Sequence, residues 1–209
     1  MQVILLSHTP NPEKAIIESA AVCWKSVPRA GILHHIIKAG HCTPLEFATF
    51  TFRIEGVSRA LTHQLVRKRA GVAYCQESQR YCRYKDGFDY VTPDSIAKDE
   101  FAATLFKYAM ENINGWYKSL LAYVPAEDAR FVLPNATCTN IDMVINYHAL
   151  IDLAKERLCS RAQWEVRGLV AEIKAKVAEV SPTLAEYLQP KCYWLKHCPE
   201  KTSCGRYQP

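Results

Sequence analysis

No apolar run in this chain of 209 residues approaches the roughly 20 residues that a membrane-spanning helix needs. The first residues, Met-Gln-Val-Ile-Leu-Leu-Ser-His, lack the basic region and cleavage site of an export signal. They read instead as a first strand, and the chain as a soluble, cytoplasmic protein. There is no Gly-rich phosphate loop of the dinucleotide or P-loop type, and strands do not alternate regularly with helices. A doubly wound sheet is thereby set aside. No Gly-x-Ser-x-Gly elbow is present and no cysteine sits in a catalytic signature, so the chain offers binding groups rather than an obvious nucleophile. Cysteine itself is not scarce, but nine is an odd number and the spacings are irregular, which points to reduced thiols rather than a disulfide framework. Cys192, Cys198 and Cys204, with His197, lack the short paired spacing of a zinc site, so no metal is expected.

Composition is that of an ordinary globular protein, 49% hydrophobic and 22% charged, with length enough for one well-formed core. The expected architecture is α+β, irregular mixed helices around a small central sheet, in a single domain over 1–209 whose residues 191–209 form an extended C-terminal tail. Residues 3–7 read as a strand, and Asn11-Pro12-Glu13 as a helix start with a capping side chain. That helix runs to about Trp24, and a second spans Pro28 to Lys38, ended by Gly40. From Phe47 to Glu55, Phe47, Thr49 and Thr51 alternate with Ala48, Phe50, Phe52 and Ile54, the period of a strand with one apolar face. Gly56 is then expected to open a helix that Gly71 breaks, with a loop over residues 72–80. Further helices are expected from Pro93 to about Tyr123 and from about Asn146 to Val180, the latter broken near Ser160, with a strand over Ala136–Ile145 between them.

Charge is concentrated rather than spread. Between Arg53 and Lys85 there are eight Lys or Arg against two acids, a local +6 in a chain whose net charge is +5. One compact basic patch suits a small phosphate-bearing ligand better than a nucleic-acid backbone, which calls for a wider track. In the predicted helix, Val57, Leu61 and Leu65 face the core while Arg59, His63 and Arg67 recur every four residues on another side. Farther on, Asn146, Leu150, Leu153, Arg157 and Arg161 fall near one helical stripe. Arg157, beside leucines, either snorkels to the surface or is held in a cleft to meet an anion. His41 is either a ligand-binding side chain or the end of the preceding helix.

Several segments, in chain order, resemble one family. They are His41-Cys-Thr-Pro-Leu-Glu-Phe-Ala-Thr-Phe-Thr-Phe, Gly56-Val-Ser-Arg-Ala-Leu-Thr-His-Gln-Leu-Val-Arg-Lys-Arg, Glu77-Ser-Gln-Arg-Tyr, Asp128-Ala-Arg-Phe-Val-Leu-Pro and Arg161-Ala-Gln-Trp-Glu-Val-Arg. Together they are similar to the flavin-dependent thymidylate synthases, over nearly the whole chain. The resemblance implies reductive methylation of dUMP at C5, with methylenetetrahydrofolate as carbon donor, FAD as flavin and NADPH as reductant. It implies that Gln64, Ser78, Arg80 and Arg130 hold dUMP, mainly its phosphate, and that Arg157 faces the uracil as the catalytic group. Arg67, Lys68, Arg69, Gln76, Asn146 and Arg161 become candidates for FAD, with His41 near the flavin or folate. A homotetramer with shared active sites is also implied.

The chain departs from the family pattern at three places. Arg67-Lys68-Arg69 stands where Arg-His-Arg is usual, with eight residues rather than seven before Ser78; Phe47 replaces a common histidine; and Asp152 replaces Asn or His. An altered flavin site therefore leaves open a related uridylate-modifying or nucleotide-binding protein. A nucleic-acid-binding module is the reading from another class, weakened because Tyr74, Tyr81 and Tyr84 flank a turn rather than a stacking sheet.

Overall fold

The computed structural model describes residues 1–29 and 31–208. In chain order the elements are β1 (Gln2–His8), α1 (Pro12–Trp24), α2 (Ile32–Ala39), α3 (Cys42–Leu45), β2 (Thr49–Ser58), α4 (Arg59–Leu65) and β3 (Val72–Gln76). There follow α5 (Asp94–Ala97), α6 (Glu100–Leu120), α7 (Ala126–Ala129) continued by one 3-10 turn at Arg130–Val132, then β4 (Cys138–Asn146). The chain ends with α8 (Tyr147–Arg157), α9 (Trp164–Val180), α10 (Pro182–Glu186) and α11 (Lys191–Leu195). The expected α+β class holds, with a four-stranded sheet ordered β1-β2-β4-β3.

The sheet is antiparallel: Thr9 donates to Thr49 where β1 ends and β2 begins, and Tyr147 donates to Ala48 where β4 ends and β2 begins. On the other side of β4, Asn146 donates to the Gly71 carbonyl and Glu77 to the Asn140 carbonyl. The alternation read in β2 is real. Ala48, Phe50, Phe52 and Ile54 are fully buried, while Phe47 and Thr49 face out.

The chain divides into two compact units. The first comprises Met1–Gln2, Ile54–Leu65 and Cys75–Ile141, and the second Val3–Arg53, Val66–Tyr74 and Asp142–Pro209. In the first, α5 packs on α6, and Leu61, Leu65, Met110 and Tyr117 are buried. In the second, α8 packs on α9 and α9 on α10, and burial of Leu150, Leu153, Leu169, Ile173 and Val177 supplies its core. Tyr147 joins that core, its hydroxyl donating to the Leu184 carbonyl at 2.7 Å. Burial holds its phenol well above the ordinary tyrosine range.

Five expectations are corrected. Asn11 does not cap α1 with its side chain, because it adopts a left-handed conformation (φ 47°). Gly56 does not open a helix: β2 runs on to Ser58 and α4 starts at Arg59. Residues 72–76, expected as loop, are the edge strand β3. The helix begun at Pro93 is interrupted before Glu100, because Asp99 caps a new helix by accepting from the Ala102 amide at 2.8 Å. Helices α8 and α9 are separated by the expected break near Ser160, the second capped by Gln163, which accepts from the Val166 amide at 2.9 Å. Helix α2 is ended by Gly40 as expected but starts at Ile32 rather than Pro28; Ala30, within the predicted Pro28–Lys38 helix, lies outside the described residues.

Candidate functional site

In the first unit, the loop after β3 holds Ser78 and Arg80, and the 3-10 turn after α7 begins with Arg130. Both arginines meet one residue. Arg80 Nε lies 2.6 Å from Glu127 Oε2, and Arg130 Nε donates to the Glu127 carbonyl at 3.0 Å. Ser78 stands at the head of a tight turn, its carbonyl accepting from Tyr81 and Cys82 at 3.1 and 2.8 Å, while its hydroxyl accepts from the Arg80 amide at 3.3 Å. Ser78 is tied to Arg80 through the Arg80 amide, and Arg80 and Arg130 therefore meet at Glu127, a residue that sequence reasoning passed over. Its only signal was an acid just before Asp128-Ala-Arg130. The pairing orients both guanidinium groups without burying them, so they remain able to take a dianion.

The loop bearing Ser78 is tied down at its start. Glu77 accepts from Tyr84 Oη and Asn140 Nδ2, both at 2.9 Å, and donates its amide to the Asn140 carbonyl. Burial first, then the Glu77 carboxylate, holds the Tyr84 phenol well above its usual range, so Tyr84 stays a neutral donor. Gln64 lies on α4, half-buried, its amide making a long 3.5 Å contact with the Ala60 carbonyl. Gln76, expected at the flavin, spends its amide on Thr62 Oγ1 at 2.9 Å and on Thr139 Oγ1 at 3.4 Å. Both threonines are buried, so these bonds fasten the end of β3 to α4 and β4.

The other expected residues belong to the second unit. Arg67 and Arg69 are exposed on the segment after α4. Lys68 between them is largely covered and pairs with Asp152 on α8 at 3.5 Å. Asp152 also faces Lys155 at 3.3 Å and His148 Nε2 at 3.8 Å, while His148 Nδ1 lies 3.4 Å from Glu46. Two departures from the family pattern, Lys68 and Asp152, thus meet each other. Burial lifts the Tyr74 phenol to about 12 against the opposing charge of Arg69. Asn146 caps α8 by accepting from the Ala149 amide at 2.8 Å, and its side chain lies over Gly71, where a Cβ would stand 2.7–2.8 Å from it. Gly71 is required there, both for its φ of 71° and for that close approach.

His41 is exposed at the start of α3, edge-on to Trp24 with ring centroids 5.6 Å apart, and 6.0 Å from the His35 ring. Arg157, the last residue of α8, lines a cavity of about 300 Å³ together with Arg161, Lys155, Lys191 and Arg206. Of the two readings of Arg157, the cleft is the one observed. Arg161 is held by the C-terminal tail, donating to the Thr202 carbonyl at 3.1 Å and facing Glu200 at 3.6 Å. The tail's part in this cavity had no counterpart in local sequence pattern.

The family model of the thymidylate synthase complementing protein matches residues 4–183. A flavin-dependent thymidylate synthase of Geobacter sulfurreducens is 42% identical over 99% of this chain and 94% of its own length. One of Clostridium tetani is 37% identical over the same shares. Among solved structures, the flavin-dependent thymidylate synthase of Helicobacter pylori complexed with FAD and dUMP superposes with a TM-score of 0.76 at 20% identity, covering 90% of this chain and 100% of its own. A UMP/dUMP methylase of Streptomyces cacaoi bound with 5-Br dUMP gives 0.77 at 19%, covering 89% and 93%. A match from the first strand to the start of α10, with relatives of this identity over nearly full length, establishes that the chain belongs to the thymidylate synthase complementing family, the flavin-dependent thymidylate synthases.

Proposed function

We propose that this chain catalyses the reductive methylation of dUMP to dTMP, with methylenetetrahydrofolate as carbon donor, FAD as bound flavin and NADPH as its reductant. The observation that carries the reading, beside family membership, is the meeting of Arg80 and Arg130 at Glu127, with the Ser78 hydroxyl on the Arg80 amide. Two guanidinium groups, one from each of two segments, and a hydroxyl form a phosphate-binding donor set, to which Gln64 on α4 adds an amide. Glu127 orients the arginines and gives up part of its hold when a dianion arrives.

Arg157 is assigned to the uracil ring. As C5 becomes nucleophilic, negative charge grows on the ring carbonyl oxygens, and a guanidinium set beside them in a cavity wall stabilises it without reorganising. The donor set of the second unit fits FAD: Arg67 and Arg69 present exposed guanidinium groups suited to a pyrophosphate, with Arg161 as a third. Bound FAD supplies the hydride in its reduced form. Lys68 acts in this assignment by anchoring the Arg67–Arg69 segment to α8 through Asp152, Asn146 and Gln76 act by holding the backbone around it, and His41 presents an imidazole beside Trp24 to the flavin or folate ring.

Residues 1–209 are taken as one synthase domain with a tail at 191–209, working in the cytoplasm as a homotetramer with shared sites. Support for the assembly comes from α6, where Phe101, Leu105, Tyr108 and Trp116 recur at helical spacing and are 58–80% exposed. No helix among the described residues is long and apolar enough to cross a membrane.

The test is the visible spectrum of the purified protein with FAD, recorded anaerobically as NADPH is added with and without dUMP. Bound flavin whose bleaching responds to dUMP is the expected result. Failure to bind FAD, or bleaching indifferent to dUMP, overturns the reading. UMP in place of dUMP separates the related uridylate chemistry.

A further inference from the structure

The C-terminal cysteines, spaced wrongly for zinc in sequence, line one cavity in the fold. Cys159, Cys192, Cys198 and Cys204 all line the cavity of about 300 Å³ in the second unit. All four are free thiols, Cys204 exposed and the others partly covered. The four thiols thus open onto one shared space, although their sequence positions are spread over 46 residues. Among the described residues no group of three or more His, Cys, Asp or Glu has the geometry to hold a metal ion.

Cys204 differs from the other three in its neighbours. The Ser160 side chain first, then the backbone and guanidinium of Arg206, hold its thiol below the ordinary range. The loop carrying it is shaped by its own bonds, Cys198 donating its amide to the Gln208 carbonyl at 2.8 Å and Gly205 to Ser203 Oγ at 3.0 Å. A thiol with hydrogen-bond donors, an adjacent guanidinium, solvent access and three further thiols on the same cavity has the parts of a peroxide-reactive centre with a resolving partner.

We propose that Cys204 is an oxidation site for hydrogen peroxide, resolved to a disulfide by one of the thiols sharing its cavity, Cys159, Cys192 or Cys198. The Cys204 thiolate attacks one peroxide oxygen, the O–O bond breaks, hydroxide leaves and takes a proton from solvent, and sulfur is oxidised to sulfenic acid by two electrons. The second thiol then attacks that sulfur, an S–S bond forms, and water departs. Closure onto Cys159 pins the tail across the cavity that Arg157 and Arg161 line. The proposal does not depend on the synthase reading.

The protein carries its own controls, since Cys23, Cys75 and Cys82 are exposed thiols that do not line this cavity. The fully reduced, full-length chain is treated at pH 7 with limiting iodoacetamide, and separately with one equivalent of hydrogen peroxide in the presence and absence of dimedone, followed by peptide mass mapping. Cys204 is expected to alkylate several-fold faster than Cys23, Cys75 or Cys82, to be the main dimedone adduct, and to appear in a disulfide with Cys159, Cys192 or Cys198. The Arg206→Gln variant should slow its alkylation. Alkylation of Cys204 no faster than the three controls, or an oxidised protein whose disulfides leave Cys204 out, overturns the proposal. Both readouts use the unaltered chain, so neither depends on a variant folding.

Discussion

One substitution made at two glycines should shift stability in opposite directions. Gly71→Ala introduces a Cβ at φ 71°, 2.7 and 2.8 Å from the Asn146 side-chain amide and 2.9 Å from the Ala149 Cβ. The left-handed backbone costs an alanine about 1–2 kcal/mol. Overpacking adds about 1–3 kcal/mol, since no real Cβ tolerates neighbours that close. Displacement of Asn146 also weakens the cap on α8, worth about 1 kcal/mol. The three overlap, so the expected loss is about 2–4 kcal/mol rather than their full sum. Gly115→Ala is the counterpart. Gly115 sits inside α6, exposed, with nothing within 4 Å of an added Cβ, and helix propensity predicts a gain of about 0.5–1 kcal/mol. Urea melts of both variants at one fixed protein concentration read the two changes directly. A Gly71→Ala variant within 0.5 kcal/mol of the parent, on the order of ordinary surface substitutions, would refute the close approach of Asn146 to Gly71. The same variant should weaken FAD binding, because the strand pairing of Gly71 with Asn146 sets the exit of the Arg67–Arg69 segment.

Arg157→Ala should leave the bound-flavin spectrum unchanged while lowering dUMP affinity and turnover; full activity would remove Arg157 from the mechanism. Lys68→His should retain flavin and activity, because an imidazole can still donate to Asp152, whereas loss of flavin absorbance would show that the longer ammonium stem sets the segment's geometry. Asp142 accepts two bonds from Arg53, at 2.9 and 3.0 Å, and these hold its carboxyl below the ordinary 3.8. With the folded value below the unfolded one, this contribution is full above the ordinary carboxylate range and is lost as pH falls through the folded value. Asp142→Asn should therefore lose less stability than the parent between pH 4 and pH 2 in parallel melts, and an unchanged acid limb would count against the pair.

What was legible in the sequence was local. The face Ala48, Phe50, Phe52, Ile54 could be read because a strand with one buried side repeats every two residues, and each of the four is fully buried. Gly40 and Pro12 were legible because backbone geometry restricts what can stand at a helix end. Strand β3 was not, because an edge strand pairs along one side only and its residues are nowhere fully covered. Nor was the cap at Asp99, hidden behind the equally plausible start at Pro93-Asp94-Ser95.

Composition and motif together determined the chemistry this chain offers: arginines for phosphate, no nucleophile in a catalytic setting, and the resemblance that named the family. Tertiary structure alone decided which of those residues meet. Arg80 and Glu127 stand 47 positions apart, Lys68 and Asp152 84 apart, and Arg161 reaches Thr202 across 41. Such pairings leave no periodic trace, since each depends on how whole elements pack and not on the residues beside it in sequence. The same holds for the four cysteines, whose spacing along the chain conceals that one cavity holds them all.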